Sequence, residues 1–343
     1  MAYTTINKSS EHFNTKLWTG NGGTQSITGV GFQPDMAWIK SRSSGAWHHL
    51  GDAVRGADKR LQVNDSGAES TLSTGITSFD SDGLSFGLSG DVNGNGLSIV
   101  GWNWKANGAG SANTDGATNT TVSVNTTAGF SIVKWTGTGG ATTLGHGLNA
   151  VPKFWIIKNL DQAEDWRIYH HSLGNTKALE LNNTGAEGTD ISYWNNTSPT
   201  SSVMTVGSSN ANNGSGRNMI AYCFAEKAGY SKFGSYTGNG NADGSFIYTG
   251  FKPAFVLIKI TNDTGENWQM YDNKRTGFNV DNNMLRANLT DAEQTDDDID
   301  LLSNGFKLRR SSGAFNSDGA NYIYMAFAEA PLVGTNGVTA KAR

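Results

Sequence analysis

The sequence predicts an all-β protein built from three tandem β-sandwich, jelly-roll-like repeats of about a hundred residues each. Two observations predict it. The 343 residues include 44 glycines and only 5 prolines, and short apolar runs alternate with Gly, Asn and Asp turns throughout. In addition, the chain repeats itself, and self-similarity at a fixed period indicates a repeat architecture.

Three passages near the start of each repeat align with one another. They are "LWTGNGGTQSITGVGFQPDMAWIKSR" from Leu17, "KWTGTGGATTLGHGLNAVPKFWIIKN" from Lys134 and "SYTGNGNADGSFIYTGFKPAFVLIKI" from Ser235. Each repeat also ends on a similar apolar phrase, which reads "VGWNWKA", "IAYCFAE" and "IYMAFAE" in chain order. Both alternating faces of this phrase are apolar or small, which predicts a central core strand that closes each repeat.

The second repeat illustrates the predicted strands. In order they are "FSIVKWTG", "KFWIIKN", "DWRIYHH", "KALELN", "SVMTVG" and "NMIAYCFAE". Each is short and rich in Ile, Val and aromatic residues, as strands are. Capped, periodic helical windows are nearly absent, so we expect little helix.

The predicted boundaries follow from composition. Residues 1–107 form the first repeat, 128–228 the second and 229–333 the third. Residues 108–127 are Gly, Ser, Asn and Thr with few apolar side chains, which indicates a linker or an extended crossover. Residues 334–343 are expected to be a peripheral tail.

Charge and cysteine content exclude several classes of protein. Charged residues make up 16% of the chain and the net charge is −4, so neither a nucleic-acid-binding face nor a polybasic membrane patch is expected. No apolar run is long enough for membrane insertion, and nothing after Met1 resembles a signal peptide. The single cysteine, Cys223, is predicted to be a buried structural thiol.

Three kinds of residue recur once per repeat. We expect the tryptophans to occupy equivalent places, and each repeat then carries an Asn five residues before a Glu that follows an Ala. A recurring glutamate could cap a turn or accept backbone amides, which we favour, or it could line a sugar site. The predicted equivalent sets are Trp47, Trp166 and Trp268; Asn64, Asn182 and Asn288; and Glu69, Glu187 and Glu293.

Two other motifs resemble metal sites. The pairs His48 with His49 and His170 with His171 sit at different offsets from their tryptophans, so we interpret them as ordinary surface or half-buried histidines. The "DVNGNG" segment from Asp91 matches half of a calcium loop, but Trp102 stands where the bidentate acid is needed. A hairpin turn explains the same residues.

Catalysis has no recognisable motif here, and we predict a non-enzymatic protein without cofactor or metal. Aromatic residues make up 10% of the chain, and exposed rings could stack on sugars. The loop "ISYWNNTSPTSS" interrupts the second repeat, so Trp194, Asn195 and Asn196 are the predicted glycan or subunit-interface contacts.

The chain resembles a known group of proteins over most of its length. The phrases that carry the likeness are "WTGNGGTQSITGVGFQPDMAWIKSR", "SKFGSYTGNGNADGSFIYTGFKPAFVLIKITN", "YDNKRTGFNVDNNMLRANLTDAEQTDDDIDLLSNGFKLR" and "YIYMAFAEAPLV". They resemble virion proteins of marine tailed bacteriophages, such as cyanophages and related podoviruses and siphoviruses, which are described as tail-fibre-like or structural. The likeness runs from Ile6 to Val333.

The resemblance implies a virion structural protein, folded in the host cytoplasm and released by lysis. We expect a tail fibre or appendage component that takes part in host attachment, with other virion proteins as partners. A homotrimer and a host cell-surface glycan are further expected partners, the first by analogy with phage appendages. The alternatives are a capsid-decorating protein and, from a different class, a glycan-cleaving tail enzyme. No functional residue is carried over from the resemblance.

Overall fold

A computed structural model describes residues 4–276 and 279–334, and these residues are almost entirely β. The all-β prediction is confirmed. A single 3-10 turn (Ser9–Glu11) precedes the first strand. We call residues 1–107, 128–228 and 229–333 units 1, 2 and 3 after the predicted repeats.

The strands of the first part of the chain are β1 (Phe13–Thr19), β2 (Gln25–Thr28), β3 (Met36–Ser41), β4 (His49–Asp52), β5 (Lys59–Gln62), β6 (Ser70–Thr71), β7 (Ile76–Asp80), β8 (Gly83–Phe86) and β9 (Ser98–Trp104), with helix α1 (Gly90–Asn93) before β9. The middle part contains β10 (Ser111–Asn113), β11 (Thr120–Asn125), β12 (Phe130–Thr136), β13 (Thr142–Gly145), β14 (Phe154–Asn159), β15 (Arg167–His170), β16 (Lys177–Glu180), β17 (Gly188–Thr189), α2 (Ile191–Trp194), β18 (Val203–Val206), α3 (Asn210–Asn213) and β19 (Asn218–Phe224). The last part contains β20 (Ser231–Thr237), β21 (Phe246–Tyr248), β22 (Phe251–Ile260), β23 (Gln269–Asp272), β24 (Asp281–Arg286), β25 (Gln294–Leu302), β26 (Gly305–Leu308) and β27 (Asn321–Pro331).

One main sheet belongs to each unit, and the three sheets have corresponding strand orders. The orders are β1-β9-β3-β4-β5-β6 in unit 1, β12-β19-β14-β15-β16-β17 in unit 2, and β20-β27-β22-β23-β24-β25 in unit 3. In every sheet the strand made from the repeated closing phrase pairs antiparallel with two neighbours. It therefore lies inside the sheet, as the sequence predicts.

The predicted linker, residues 108–127, contains the two strands β10 and β11. They extend the sheet of unit 2, because β11 pairs antiparallel with β12 and β10 pairs with β11. In "TTVSVN" two valines alternate with polar residues, and two threonines precede them, which explains the strand, since β-branched side chains pack well on a pleated surface. The segment is thus the extended crossover, tied to the edge of unit 2.

Each main sheet is covered on its outer face within its own unit. In units 1 and 2 the small sheets β2-β8-β7 and β13-β18 are separate from the main sheet, whereas in unit 3 the strands β21, β25 and β26 continue the main sheet. Three of the apolar clusters belong to these outer faces, one to each unit.

The inner faces of the three sheets meet in one apolar cluster that draws on all three units. At its centre are Trp104, Phe224 and Phe327, which occupy equivalent places on β9, β19 and β27. Their ring centroids lie 6.4 Å apart for Trp104 and Phe224, 5.6 Å for Trp104 and Phe327, and 5.7 Å for Phe224 and Phe327. The units therefore share a core and are not three separate sandwiches.

Replacing one ring of this trio should weaken the whole molecule. We expect Phe224→Ala to lower the free energy of unfolding by about 3–5 kcal/mol, because the cavity would open where all three sheets meet. Urea denaturation followed by tryptophan fluorescence and far-UV circular dichroism measures it. The matched control is Phe246→Ala, at a ring that is 45% exposed, and it should cost far less. Equal losses for the two variants would contradict a shared core.

Candidate functional site

The recurring asparagines hold equivalent backbone positions in the three units. Their side-chain Oδ1 atoms accept the backbone N–H that precedes β4, β15 and β23. The distances are 2.8 Å from His48 to Asn64, 2.9 Å from Trp166 to Asn182, and 3.0 Å from Trp268 to Asn288.

The equivalent of Trp166 and Trp268 is consequently His48, and the prediction of Trp47 is wrong by one residue. The Trp47 side chain is 42% exposed, whereas Trp166, Trp268 and His48 are buried. The residue whose N–H bonds to the asparagine is the one whose side chain enters the boundary between units. In unit 1 that residue is His48.

The rings at this position reach from one unit into another. Trp166 Nε1 donates to the carbonyl oxygens of Gln62 at 3.1 Å and Asp65 at 3.0 Å in unit 1. Trp268 Nε1 donates to the Glu180 carbonyl in unit 2 at 2.9 Å. Unit 2 thus docks on unit 1, and unit 3 docks on unit 2.

His48 makes the corresponding contact between units 1 and 3. Its Nε2 lies 3.0 Å from the Arg286 carbonyl oxygen and 3.1 Å from that of Leu289. Trp38 Nε1 donates to Nδ1 at 2.8 Å, so Nε2 carries the ring proton and donates it across the boundary. The three docking contacts together form a closed, pseudo-threefold arrangement within one chain.

The recurring glutamates lie on the same boundaries. Their backbone N–H groups donate to strand ends of the following unit: Glu69 to the Leu160 carbonyl at 2.9 Å, Glu187 to Thr261 at 2.8 Å, and Glu293 to Arg42 at 2.7 Å. The Glu of the repeated phrase therefore gives a strand end of the next unit the hydrogen-bond partner that it needs away from water. The Asn acts within its own unit, where it holds the residue whose ring crosses the boundary.

Two of the three boundaries contain a buried acid–arginine pair. Arg55 Nε lies 2.5 Å from Asp52 Oδ2, and Arg275 Nε lies 2.5 Å from Asp272 Oδ2, with all four side chains at most 1% exposed. An aromatic side chain of the neighbouring unit donates a further hydrogen bond to each carboxylate. Tyr222 donates its hydroxyl to Asp52 at 2.7 Å, and Trp102 donates its indole N–H to Asp272 at 3.0 Å.

The same arginines also reach the recurring glutamates. Arg55 Nη1 is 3.2 Å from Glu69, and Arg275 Nη1 is 3.1 Å from Glu293. Each glutamate has a second cation, since Lys59 lies 3.8 Å from Glu69 and Arg42 lies 2.8 Å from Glu293. These two boundaries are therefore filled by side chains whose charges balance.

The boundary between units 2 and 3 is built differently. Equivalent backbone bonds, Ala53 N–H to the Asp35 carbonyl and His171 N–H to the Lys153 carbonyl, align the two loops. This alignment places His170 where unit 1 has its aspartate and Leu173 where it has its arginine. Burial lowers the pKa of His170 to about 3, so the imidazole is neutral.

A cavity of about 410 Å³ opens at this boundary. Ser172, Leu173, Lys177 and Glu187 line it from unit 2, and Ser235, Tyr236, Thr237, Thr261, Asn321, Tyr322 and Ile323 line it from unit 3. Lys177 Nζ pairs with Glu187 Oε1. The lining is mostly hydroxyl, amide and backbone, and it is the candidate binding site of the chain.

A buried lysine recurs at the end of the strand before each boundary, and the sequence reasoning missed it. Lys40, Lys158 and Lys259 are all 0% exposed, and desolvation lowers the pKa of each to about 8. Lys158 Nζ donates to the carbonyl oxygen of Ser66 in unit 1 at 2.8 Å. The signal was present, since the three lysines occupy the same column of the aligned passages.

The first three residues of "DVNGNG" lie in helix α1, and a turn follows in which Leu97 N–H donates to the Gly94 carbonyl at 3.0 Å. The predicted hairpin is wrong, because β8 and β9 do not pair with each other. Ser89 caps the helix, because its side chain accepts the Asp91 N–H. Asp91 pairs with Arg60 at 3.0 Å, and the buried Asn93 accepts the Asn21 N–H at 3.0 Å. Asn213 and Asn316 accept the equivalent N–H groups of Thr138 and Asn239. The asparagine of this motif therefore holds the loop that follows the first strand of each unit's main sheet.

The histidine interpretation is wrong for three of the four residues. His48, His49 and His170 are at most 1% exposed, because β4 and β15 are buried on both faces, and only His171 is half-buried. In the part of the chain that the structure describes, no group of three or more His, Cys, Asp or Glu side chains is placed to hold a metal ion.

The prediction of Trp194 as a surface contact is also wrong. The one-turn helix α2 directs its ring inward, where it is 0% exposed, donates to the Lys177 carbonyl at 2.8 Å and packs on Trp155. Asn195 and Asn196 are exposed and have left-handed backbone, with φ of 50° and 48°. Cys223 is buried, as predicted.

The chain belongs to the family described as a domain of unknown function, DUF7483, whose model matches residues 8–331. A comparison with curated proteins finds no match. Among the described residues, no helix is long and apolar enough to cross a membrane.

Breaking a boundary ion pair should cost more than removing it. We expect Arg55→Met to lower the free energy of unfolding by about 3–5 kcal/mol, because Asp52 would remain buried without its cation. The double variant Asp52→Asn/Arg55→Met should lose less than the sum of the two single variants in urea denaturation. As a control, Lys8→Met breaks an exposed pair with Glu11 and should cost little. Additive losses at Asp52 and Arg55 would argue against the pairing.

Acid should destabilise the fold through its buried histidines. Burial lowers the pKa of His49 to about 3, and the positive charges of Arg60 and Arg55 add to the effect. Between pH 6.5 and 3 the imidazole is therefore protonated in the unfolded chain but neutral in the folded chain. Stability therefore falls as pH drops below about 6.5. His49→Leu should lose about 2 kcal/mol less than the wild type between pH 7.5 and pH 5.

The measurement is urea denaturation at both pH values. Trp47→Ala, at the exposed neighbouring ring, is the control and should follow the wild-type pH dependence. Parallel curves for His49→Leu and the wild type would show that His49 does not contribute.

Proposed function

We propose that the chain is a non-enzymatic structural protein of a phage particle, in a tail fibre or other appendage that meets the host surface. The observation that supports this most is the closed contact between the three units. The polar residues that recur in every unit serve these contacts. Glu69 donates its N–H to the Leu160 carbonyl of the next unit, and Asn64 holds His48, whose ring reaches Arg286 in unit 3. A closed body of this kind suits a structural component of a particle.

The surroundings of the carboxylates also favour a structural role over glycan cleavage. A glycosidase needs two acids that face each other across a groove, about 5–10 Å apart. Glu69, Glu187 and Glu293 lie instead on three different boundaries, and each is paired with a cation. A carboxylate neutralised in this way is poorly suited to donate a proton to a leaving group.

Assembly with other virion proteins follows from the same proposal. We infer a closed homo-oligomer, with a trimer preferred by analogy with other phage appendages. The protein would fold in the host cytoplasm and leave the cell by lysis. Light scattering coupled to size-exclusion chromatography measures the oligomeric state of the purified chain, and a monomer would contradict the trimer.

Immunogold electron microscopy of intact particles tests the proposal. Antibodies against the folded chain should label the tail or its fibres, and preimmune serum serves as the control. Label over the head would indicate a capsid-decorating protein, and absence of label from disrupted and intact particles alike would rule out a virion role. Release of reducing sugar ends from host-surface glycan by the purified chain would contradict the non-enzymatic assignment.

A further inference from the structure

The three boundaries act as internal controls for one another. Arg55 and Arg275 fill two of them, with guanidinium groups that also donate to the carbonyl oxygens of Leu50 at 3.0 Å and Met270 at 2.8 Å. The third has Leu173 at that place, and the cavity of about 410 Å³ lies beside it. The cavity thus lies at the boundary where the arginine position holds a leucine.

The charge at the open boundary is balanced without a ligand. His170 and Leu173 are neutral where the other boundaries have an acid and an arginine, and Glu187 is paired with Lys177. Adding an ion would leave an uncompensated charge in a partly desolvated site, which is costly. An uncharged ligand with many hydroxyl groups avoids that cost and can use both members of the ion pair as hydrogen-bond partners.

The wall from unit 3 offers rigid donors and acceptors. Phe233 on β20 donates its N–H to Glu226 at 3.4 Å, and its carbonyl oxygen lies 2.7 Å from His171 Nε2, so its polar backbone groups point away from β27. Because strand geometry alternates, Ser235, two residues on, directs its N–H and C=O the same way, along the cavity.

The rest of the wall from unit 3 is polar. Thr237, Thr261 and Asn321 line the cavity, and Ile323 adds an apolar residue. The ring of Tyr236 lies on the other face of the sheet, because successive strand residues alternate and it stacks on Tyr322 within the outer apolar cluster. Hydroxyl and amide groups beside a small apolar surface suit sugars, which present both hydroxyl groups and apolar C–H faces.

We propose that the cavity between units 2 and 3 binds a neutral saccharide. Its volume is at the small end of the range for ligand pockets, about 300–1,000 Å³, which limits the bound part to one or two sugar rings. This inference rests on the proposed attachment function and gives it a location. The predicted glycan contact at Trp194 is replaced, because that ring is buried, by a site that Leu173, Glu187 and Asn321 line.

Each site should bind weakly on its own. The cavity is open and mostly polar, so only a modest apolar area is removed from water. Many copies on one particle would make later contacts intramolecular and raise the overall avidity. Detection on the isolated chain therefore needs a method suited to weak, fast exchange.

Saturation-transfer-difference NMR of the full chain with a panel of neutral mono- and disaccharides is the test. The wild type should transfer saturation to at least one saccharide, and Leu173→Met, which keeps the side-chain size, should do the same. Leu173→Arg, which copies the filled boundaries, and Leu173→Phe, which fills the space without charge, should both lose the signal. Far-UV circular dichroism and thermal unfolding establish that each variant is folded.

No transfer to any saccharide by the wild type, or transfer that persists in both filled variants, would overturn the proposed site. Preferential binding of N-acetylarginine amide, lost in the filled variants, would show a cation site in its place. Immunogold label on the tail without saccharide transfer would leave the appendage role standing while this inference fails, whereas saccharide transfer by a chain absent from particles would remove the appendage role alone.

Discussion

The fold depends on one constraint, which is that three sheets each bury an inner face against the other two. Trp104, Phe224 and Phe327 meet where the sheets converge, and the apolar cluster around them includes residues of every unit. Strand ends beside such a core lose water, so their N–H and C=O groups need partners from the neighbouring unit. The backbone N–H groups of Glu69 and its equivalents meet that need. Asn64 and its equivalents hold, within their own unit, the residue whose ring crosses the boundary, which explains why this phrase recurs.

The buried charges follow from the same geometry. An ammonium or guanidinium removed from water is costly unless carbonyl or carboxylate oxygens surround it. Lys158 meets that condition by reaching Ser66 across the boundary, and Arg55 does so between Asp52 and Glu69. These contacts require the correct register between units, so they select one docking arrangement among those that the apolar faces alone would allow.

The all-β class and the internal closing strands could be predicted from the sequence, because alternation and turn residues are local properties. The shared core could not, since an apolar face shows that something covers it but not which surface does. Trp47 was misassigned because a tryptophan stands at this place in the other two units, whereas the bond to Asn64 places the adjacent His48 there. Trp194 was misassigned because its polar flanks suggest a surface loop, whereas one helical turn directs the ring inward.

Equivalent positions in the three units have the same structural role, so we expect similar residues there. A different residue in one unit is therefore informative. At the aspartate and arginine positions, units 1 and 3 agree, and unit 2 has His170 and Leu173. If the arginine were needed only to fill space, a leucine would leave a void that neighbouring side chains tend to close. The void remains, and the hydroxyl and amide groups of Thr237, Thr261 and Asn321 line it. The cavity between units 1 and 3 is only about 40 Å³. A polar cavity about ten times larger at the boundary where one copy differs is the arrangement expected of a binding site, and it places specificity on that copy.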